Sequence, residues 1–276
     1  MMQEHRFLTS MGPIHYWTSP RIPDAPTLVF LPGLGSTHYM FSRQIAWFMK
    51  HGVNCLVWDA PSHGVSRPFD LQWSIDDTAR WLHTILQQEH ITEPVLVGQS
   101  MGGFTAQAMI RLYPGEVRAF VGIDSAPLER QYYSNMDLKI MHLQRVFYRF
   151  VPRWFRLFAG PYGVSTTKYG RSVARFMLFE YTHPQFVHLM GHGYDTIAHA
   201  IKADNRYALT CPTLLLCGDM DLADAAQRLN RQWSETEHLQ LHWIPSAGHN
   251  SNTDQPDLTN ELITNFLDDQ CGIHLK

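Results

Sequence analysis

Short, mostly apolar runs bounded by turn residues recur along the chain, at 27–31, 53–58, 95–97, 120–123, 213–217 and, alternating with Gln240 and His242, at 239–244. Runs of this length that stay apolar throughout predict strands buried on both faces. Between them lie segments with helical periodicity, at 39–51, 75–90, 104–113, 223–235 and 258–267. Near the start, 5–8 and 14–17 predict a hairpin turning across Ser10, Met11 and Gly12. Strands alternating with helices predict an α/β fold, a mostly parallel sheet covered by helices, with ligands bound beyond the carboxyl ends of its strands. There are no internal repeats or low-complexity tracts.

The alternation stops between about 128 and 207. Met136, Ile140, Leu143, Phe147 and Phe150 recur there at helical spacing, and further helices are expected over 166–181 and 184–203. This insertion holds 16 of the 34 aromatic residues and 11 of the 22 Lys and Arg residues, against 5 of the 25 acids. It is therefore aromatic and carries +6. The expectation is a helical layer that buries part of its aromatics and lends others to the wall of an apolar cavity.

With 276 residues, 45% of them apolar, the chain is long enough for one sizeable core carrying an insertion. A formal charge of −3 gives no reason to expect nucleic acid, and no apolar run approaches the length of a membrane span. The first residues, from Met1 to Arg6, lack the basic-then-apolar plan of a signal peptide. Cys55, Cys211, Cys217 and Cys271 show no metal or disulfide spacing, and a cytoplasmic protein is expected. Nothing in the sequence sets an oligomeric state.

The chemistry centres on Gly98-Gln99-Ser100-Met101-Gly102, a G-x-S-x-G between a predicted strand and a predicted helix. A sharp strand-to-helix turn crowds the backbone, so glycines are needed around a serine held exposed at its apex. A serine hydroxyl also needs a base and a group to orient that base. His249, in the loop after the last strand, is the expected base. For the acid, Asp219, Asp221 and Asp224 compete in the loop after the strand at 213–217, and Asp124, just after another strand, is a rival. Leu31-Pro32-Gly33-Leu34-Gly35 follows a strand and would offer the Leu34 N–H to an oxyanion, with the Met101 N–H as second donor. The chain has no H-E-x-x-H, no Walker A sequence and no G-x-G-x-x-G, so no metal or cofactor is expected.

Together these segments resemble the α/β-hydrolase family, specifically its cap-bearing, cofactor-free serine hydrolases, over nearly the whole chain. Leu31-Pro32-Gly33 is similar to the family's oxyanion loop, and Asp59 to Ser66 to its D-x-P-G-H-G-x-S segment, with Ser62 in place of a glycine. Gly218 to Asp221 and Gly248-His249 resemble its acid and histidine loops. The resemblance implies a core of residues 1–127 and 208–276 with a cap, 128–207, inserted after the sixth core strand. It also implies Asp221 as the acid, Asp219 and Asp224 as loop or capping groups, and a structural role for the segment holding His63. The expected function is hydrolysis of a small, apolar carboxylic ester through an acyl-enzyme. Carbon–carbon bond hydrolase, thioesterase and lactonase chemistry with the same three side chains, or a non-catalytic receptor on the same fold, are the alternatives.

Overall fold

The computed structural model describes residues 1–223 and 225–275; Asp224, expected as a loop or capping group, lies outside the described residues. Eight strands form one sheet in the order β1 (Gln3–Leu8), β2 (Pro13–Thr18), β4 (Asn54–Trp58), β3 (Thr27–Leu31), β5 (Val95–Gln99), β6 (Ala119–Ile123), β7 (Thr213–Gly218) and β8 (Gln240–Ile244). The first two strands make the expected hairpin, Gln3 opposite Thr18 and Leu8 opposite Pro13, and β2 runs antiparallel to β4. From β4 to β8 all neighbours are parallel.

The apolar runs are explained by burial on both faces. Along β3, Leu28 and Phe30 pack in one cluster with Phe48 and Phe266, while Val29 and Leu31 pack in the other with Leu82, Met109 and Trp233. Helices α1 (Ser42–Lys50) and α9 (Pro256–Cys271) supply the first cover, and α2 (Ile75–Gln88), α3 (Met101–Leu112) and α8 (Ala226–Glu237) the second. β3 leads through α1 to β4 on one side, and β5 leads through α3 to β6 on the other. The chain thus diverges at the carboxyl ends of β3 and β5, which is where a crevice opens in such sheets.

Four helices separate β6 from β7: α4 (Asn135–Phe147), α5 (Arg153–Val164), α6 (Lys168–Phe179) and α7 (His183–Ala203). Ser134 with Asp137 and Thr182 with Gln185 form capping boxes that start α4 and α7. Helix α5 is absent from the expected helices, and Gly160, Pro161 and Gly163 are unfavourable in a helix interior. Proline removes one helical N–H, so the Leu157 carbonyl four residues back loses its partner. Arg175 Nε on α6 donates to that carbonyl at 3.0 Å, and the helix continues for one more turn. Gly160 serves the same packing, since a Cβ there would stand 3.1 Å from Leu178.

Met136, Ile140, Leu143 and Phe147 do form one face of α4, with Phe150 in the 3-10 turn that follows, but this face is turned to solvent. Leu143 is 66% exposed and Phe150 78%, whereas Leu138 and Met141 turn inward. Among the described residues no helix is long and apolar enough to cross a membrane.

Candidate active site

The turn from β5 into α3 is a strained elbow. Ser100 has φ 49° and ψ −118°, a conformation that L side chains rarely adopt. Its N–H is held by the Ile123 carbonyl at 2.9 Å, and its own carbonyl accepts from Gly103 N–H and Ser125 Oγ, each at 2.9 Å. The flanking glycines permit this packing: a Cβ on Gly98 would stand 2.6 Å from the Gly102 backbone, and one on Gly102 would stand 1.9 Å from the Leu31 carbonyl oxygen. The loop after β3 lies against the same elbow, because a Cβ on Gly33 would reach 3.0 Å from Ser100 Cβ. Leu34 follows directly. Met101 is the first residue of α3, where a backbone N–H has no helical carbonyl to meet. Both expected oxyanion donors are thus in the two segments that meet at Ser100.

His249 and Asp221 are brought together across 28 residues. His249 Nδ1–H donates to Asp221 Oδ2 at 2.9 Å, and the other Asp221 oxygen accepts from Ala223 N–H at 2.8 Å. Asp221 is buried, whereas Asp219 is exposed in the same loop. Asp124 lies beside this pair, its two oxygens accepting from Gly218 N–H at 2.8 Å and Ser251 N–H at 2.9 Å. Asp124, Asp221 and Cys217 place ligand-type atoms within 4.8 Å of one another. All four carboxylate oxygens of that group already accept an N–H. Burial first, and the neighbouring Asp221 charge second, push Asp124 up to about 8.

Three polar residues that sequence reasoning missed fix the histidine loop and the roof above it. Gln99 Nε2, inside the elbow, donates to the His249 carbonyl at 2.8 Å. Asp254 accepts from Gly248 N–H at 3.0 Å and reaches the inserted helices through Thr166 N–H, Thr167 N–H and Thr167 Oγ1. Asn250 N–H donates to the Val164 carbonyl at the end of α5 at 2.8 Å. Local sequence carries no signal for these partners.

Ser100 and His249 both border a cavity of about 360 Å³ and a smaller lobe of about 140 Å³, and Leu34 borders both. The larger is walled by Phe104, Met141, Tyr148, Met190, Tyr194 and Ile197, so α4 and α7 of the insertion supply much of its lining. Of the inserted aromatics, Tyr133, Tyr148, Tyr194 and Phe186 border the two lobes, while Phe147 and Phe150 are exposed. Arg156 borders the smaller lobe; it is 4% exposed, its guanidinium lies 4.1 Å from the Phe186 ring centre, and its Nη2 donates to the Tyr181 carbonyl. A groove of about 520 Å³ at the opposite end of the strands, around Arg21, Asn54 and Arg118, touches none of the expected chemistry.

The segment from Asp59 to Ser66 is a tightly hydrogen-bonded loop directly after β4. Asp59 is fully buried and accepts from His38 N–H, His38 Nδ1 and Val65 N–H at 2.7, 2.9 and 2.9 Å. Ser62 adopts φ 72°, and its Oγ accepts from Trp73 Nε1 at 3.1 Å. His63 is fully buried, with Nδ1 on the Pro61 carbonyl at 2.9 Å.

A doubly wound sheet with a serine elbow at the carboxyl end of a central strand defines the α/β-hydrolase class. Residues 28–262 match the sequence model of the Alpha/beta hydrolase family, and the chain belongs to that family. It is 26% identical over 253 residues to the sn-1-specific diacylglycerol lipase ABHD11 of Mus musculus, covering 88% of this chain and 81% of the relative. It is 23% identical, over 87% of this chain and 92% of the relative, to the pimeloyl-(acyl-carrier protein) methyl ester esterase of Yersinia enterocolitica. A thermophilic esterase from Thermogutta terrifontis has the same fold, with a TM-score of 0.78 at 19% identity and 99% of both chains covered.

Proposed function

We propose that the protein hydrolyses a carboxylic ester with an apolar acyl part, through an acyl-enzyme on Ser100. His249 takes the Ser100 proton as Oγ attacks the carbonyl, and returns it to the departing alcohol oxygen. Water, activated by the same imidazole, then cleaves the acyl-serine bond and releases the acid. Asp221 holds the ring with Nδ1–H directed to its carboxylate, leaving Nε2 as the basic atom. The Leu34 and Met101 amides hold the oxyanion. The observation that carries this reading is the 2.9 Å bond from His249 to Asp221 beside a cavity that Ser100 and His249 both border. That two relatives bear the names of a lipase and a methyl ester esterase supports the ester bond as the target.

Residues 128–207 act as the cap, with α4, α5 and α7 roofing the nucleophile. The four unpaired cysteines support a cytoplasmic setting. Turnover of a short p-nitrophenyl ester, with Ser100→Ala and His249→Ala as controls, tests the reading. Each variant is expected to lose nearly all turnover while staying folded, and the double variant to be scarcely worse than either, because nucleophile and base act as one unit. Near-native hydrolysis by Ser100→Ala would overturn the assignment.

A further inference from the structure

Of the twenty large apolar side chains exposed among the described residues, thirteen fall within residues 135–179. That stretch is 45 of 276 residues, so the concentration is not an accident of length. Soluble proteins rarely leave contiguous apolar patches beyond a few hundred Å² uncovered, and larger ones mark an interaction surface. On α4 the exposed stripe lies about a third of a turn round from Met141 and Gln144, which border the cavity. On α5, Trp154, Phe158 and Tyr162 repeat every fourth residue and are 70%, 66% and 57% exposed.

The charge on the same stretch decides what covers it. It carries eight Lys and Arg residues, of which Arg156 is buried at the inner lobe and Arg145 pairs with Asp195 at 3.0 Å, and a single acid, Asp137, whose carboxylate is paired with Arg228 at 2.9 Å. The stretch is thus +7 and the remainder of the chain −10. A second copy of the chain meeting this face across a two-fold axis would oppose +7 with +7. An anionic lipid surface supplies the complement, and it repels the acidic remainder so that the inserted helices turn towards it. Basic side chains set among exposed aromatics, with the Arg171 guanidinium 4.3 Å above Tyr162 and that of Arg153 4.9 Å above Phe179, suit the boundary between headgroups and acyl chains.

We propose that the outer face of the inserted helices docks on an anionic lipid bilayer, with its apolar side chains at the acyl boundary and its exposed Lys and Arg side chains, Lys139, Arg149, Lys168 and Arg175 among them, at the phosphates. If the ester-hydrolase reading holds, the wall of the cavity then stands at the membrane, and an apolar ester enters without crossing water.

The test is co-sedimentation of the full chain with phosphatidylcholine vesicles, with and without phosphatidylglycerol, at low and high salt. Binding is expected to the mixed vesicles, weakening with salt and much lower on phosphatidylcholine alone. Phe147→Ser with Phe150→Ser should reduce it by roughly tenfold or more. Lys139→Gln with Arg149→Gln should reduce it by roughly fivefold per charge. None of these four side chains borders the cavity, so both variants should keep turnover of a water-soluble ester, which also reports that they fold. No binding to mixed vesicles at low salt, or binding indifferent to both variants, would overturn the proposal. So would a dimer, seen by sedimentation velocity and dissolved by Phe147→Ser with Phe150→Ser, in a protein that ignores vesicles; the face would then belong to a second copy.

Discussion

The His249 ring is tied through Nδ1 to Asp221 Oδ2 at 2.9 Å, while Asp124 spends its two oxygens on the backbone N–H groups of Gly218 and Ser251. Burial first, and the Asp221 charge beside it second, raise Asp124 to about 8, and the hydrogen bond to the imidazole belongs to Asp221. Asp221→Asn should therefore lower kcat by orders of magnitude, since the imidazole loses its charged partner and its fixed tautomer. Asp124→Asn should be milder in kcat and show its effect in stability. The two variants measured side by side decide the matter, and the reverse ranking would move the acid to Asp124.

Asp254 tests whether the base needs its loop anchored. Its carboxylate serves Gly248 next to His249 and both Thr166 and Thr167 at the start of the next inserted helix, and it is 5% exposed. Charge-assisted bonds of this kind contribute about 1.5–3 kcal/mol each before non-additivity. Asp254→Asn keeps the shape but replaces one acceptor oxygen by a donor facing N–H groups. We expect a fall in Tm of several degrees and a kcat reduced more than KM is raised. Unchanged kcat in a folded variant would show that the loop holds His249 without this anchor.

Much of the fold was legible because the parallel strands β3, β5, β6 and β7 are buried on both faces and so read as nearly unbroken apolar runs, whereas the edge strand β8, with Gln240 and His242, is only partly buried. The elbow was legible for a similar reason: only glycine fits where Gly98 and Gly102 meet backbone. What escaped was set by partners distant in sequence. Arg175 rescues the carbonyl that Pro161 leaves unpaired, so α5 forms where its own residues argue against it. Gln99 and His249 lie 150 residues apart, and neither end announces the bond. Periodicity gave the spacing of the α4 stripe, but which side faces water depends on α7 packing against the other side, and no property of α4 alone records that.

His63 predicts a specific acid sensitivity. Burial is the main cause that lowers it from 6.5 to about 4, so the folded protein keeps the ring neutral. Below about pH 6.5 the unfolded chain binds a proton that the folded chain refuses. The stabilisation is complete above that pH and is lost as pH falls towards 4, by an amount on the order of 3 kcal/mol. Tm measured from pH 7 to pH 4 should fall accordingly, and His63→Asn, which cannot titrate, should flatten that part of the curve whatever it does to Tm at neutral pH. An equal slope in wild type and variant would assign the acid sensitivity to other groups.

The apolar lining of the larger cavity predicts how turnover depends on the acyl chain. Phe104, Met141, Met190 and Ile197 offer no strong hydrogen-bonding group, so each methylene moved from water into their company contributes about 0.8 kcal/mol. Along p-nitrophenyl esters from acetate to dodecanoate, kcat/KM should rise several-fold per carbon while the cavity of about 360 Å³ fills, and then fall once the chain outgrows it. Filling the wall should move that maximum. Ile197→Phe, which adds volume to α7 without touching Ser100, His249 or Asp221, should shift the optimum to shorter chains and leave acetate turnover nearly unchanged. The measurement is the full series for wild type and variant below the micellar range of each ester. A profile that declines steadily from acetate in both proteins would place the acyl group outside this cavity, and one unmoved by Ile197→Phe would remove α7 from the acyl wall.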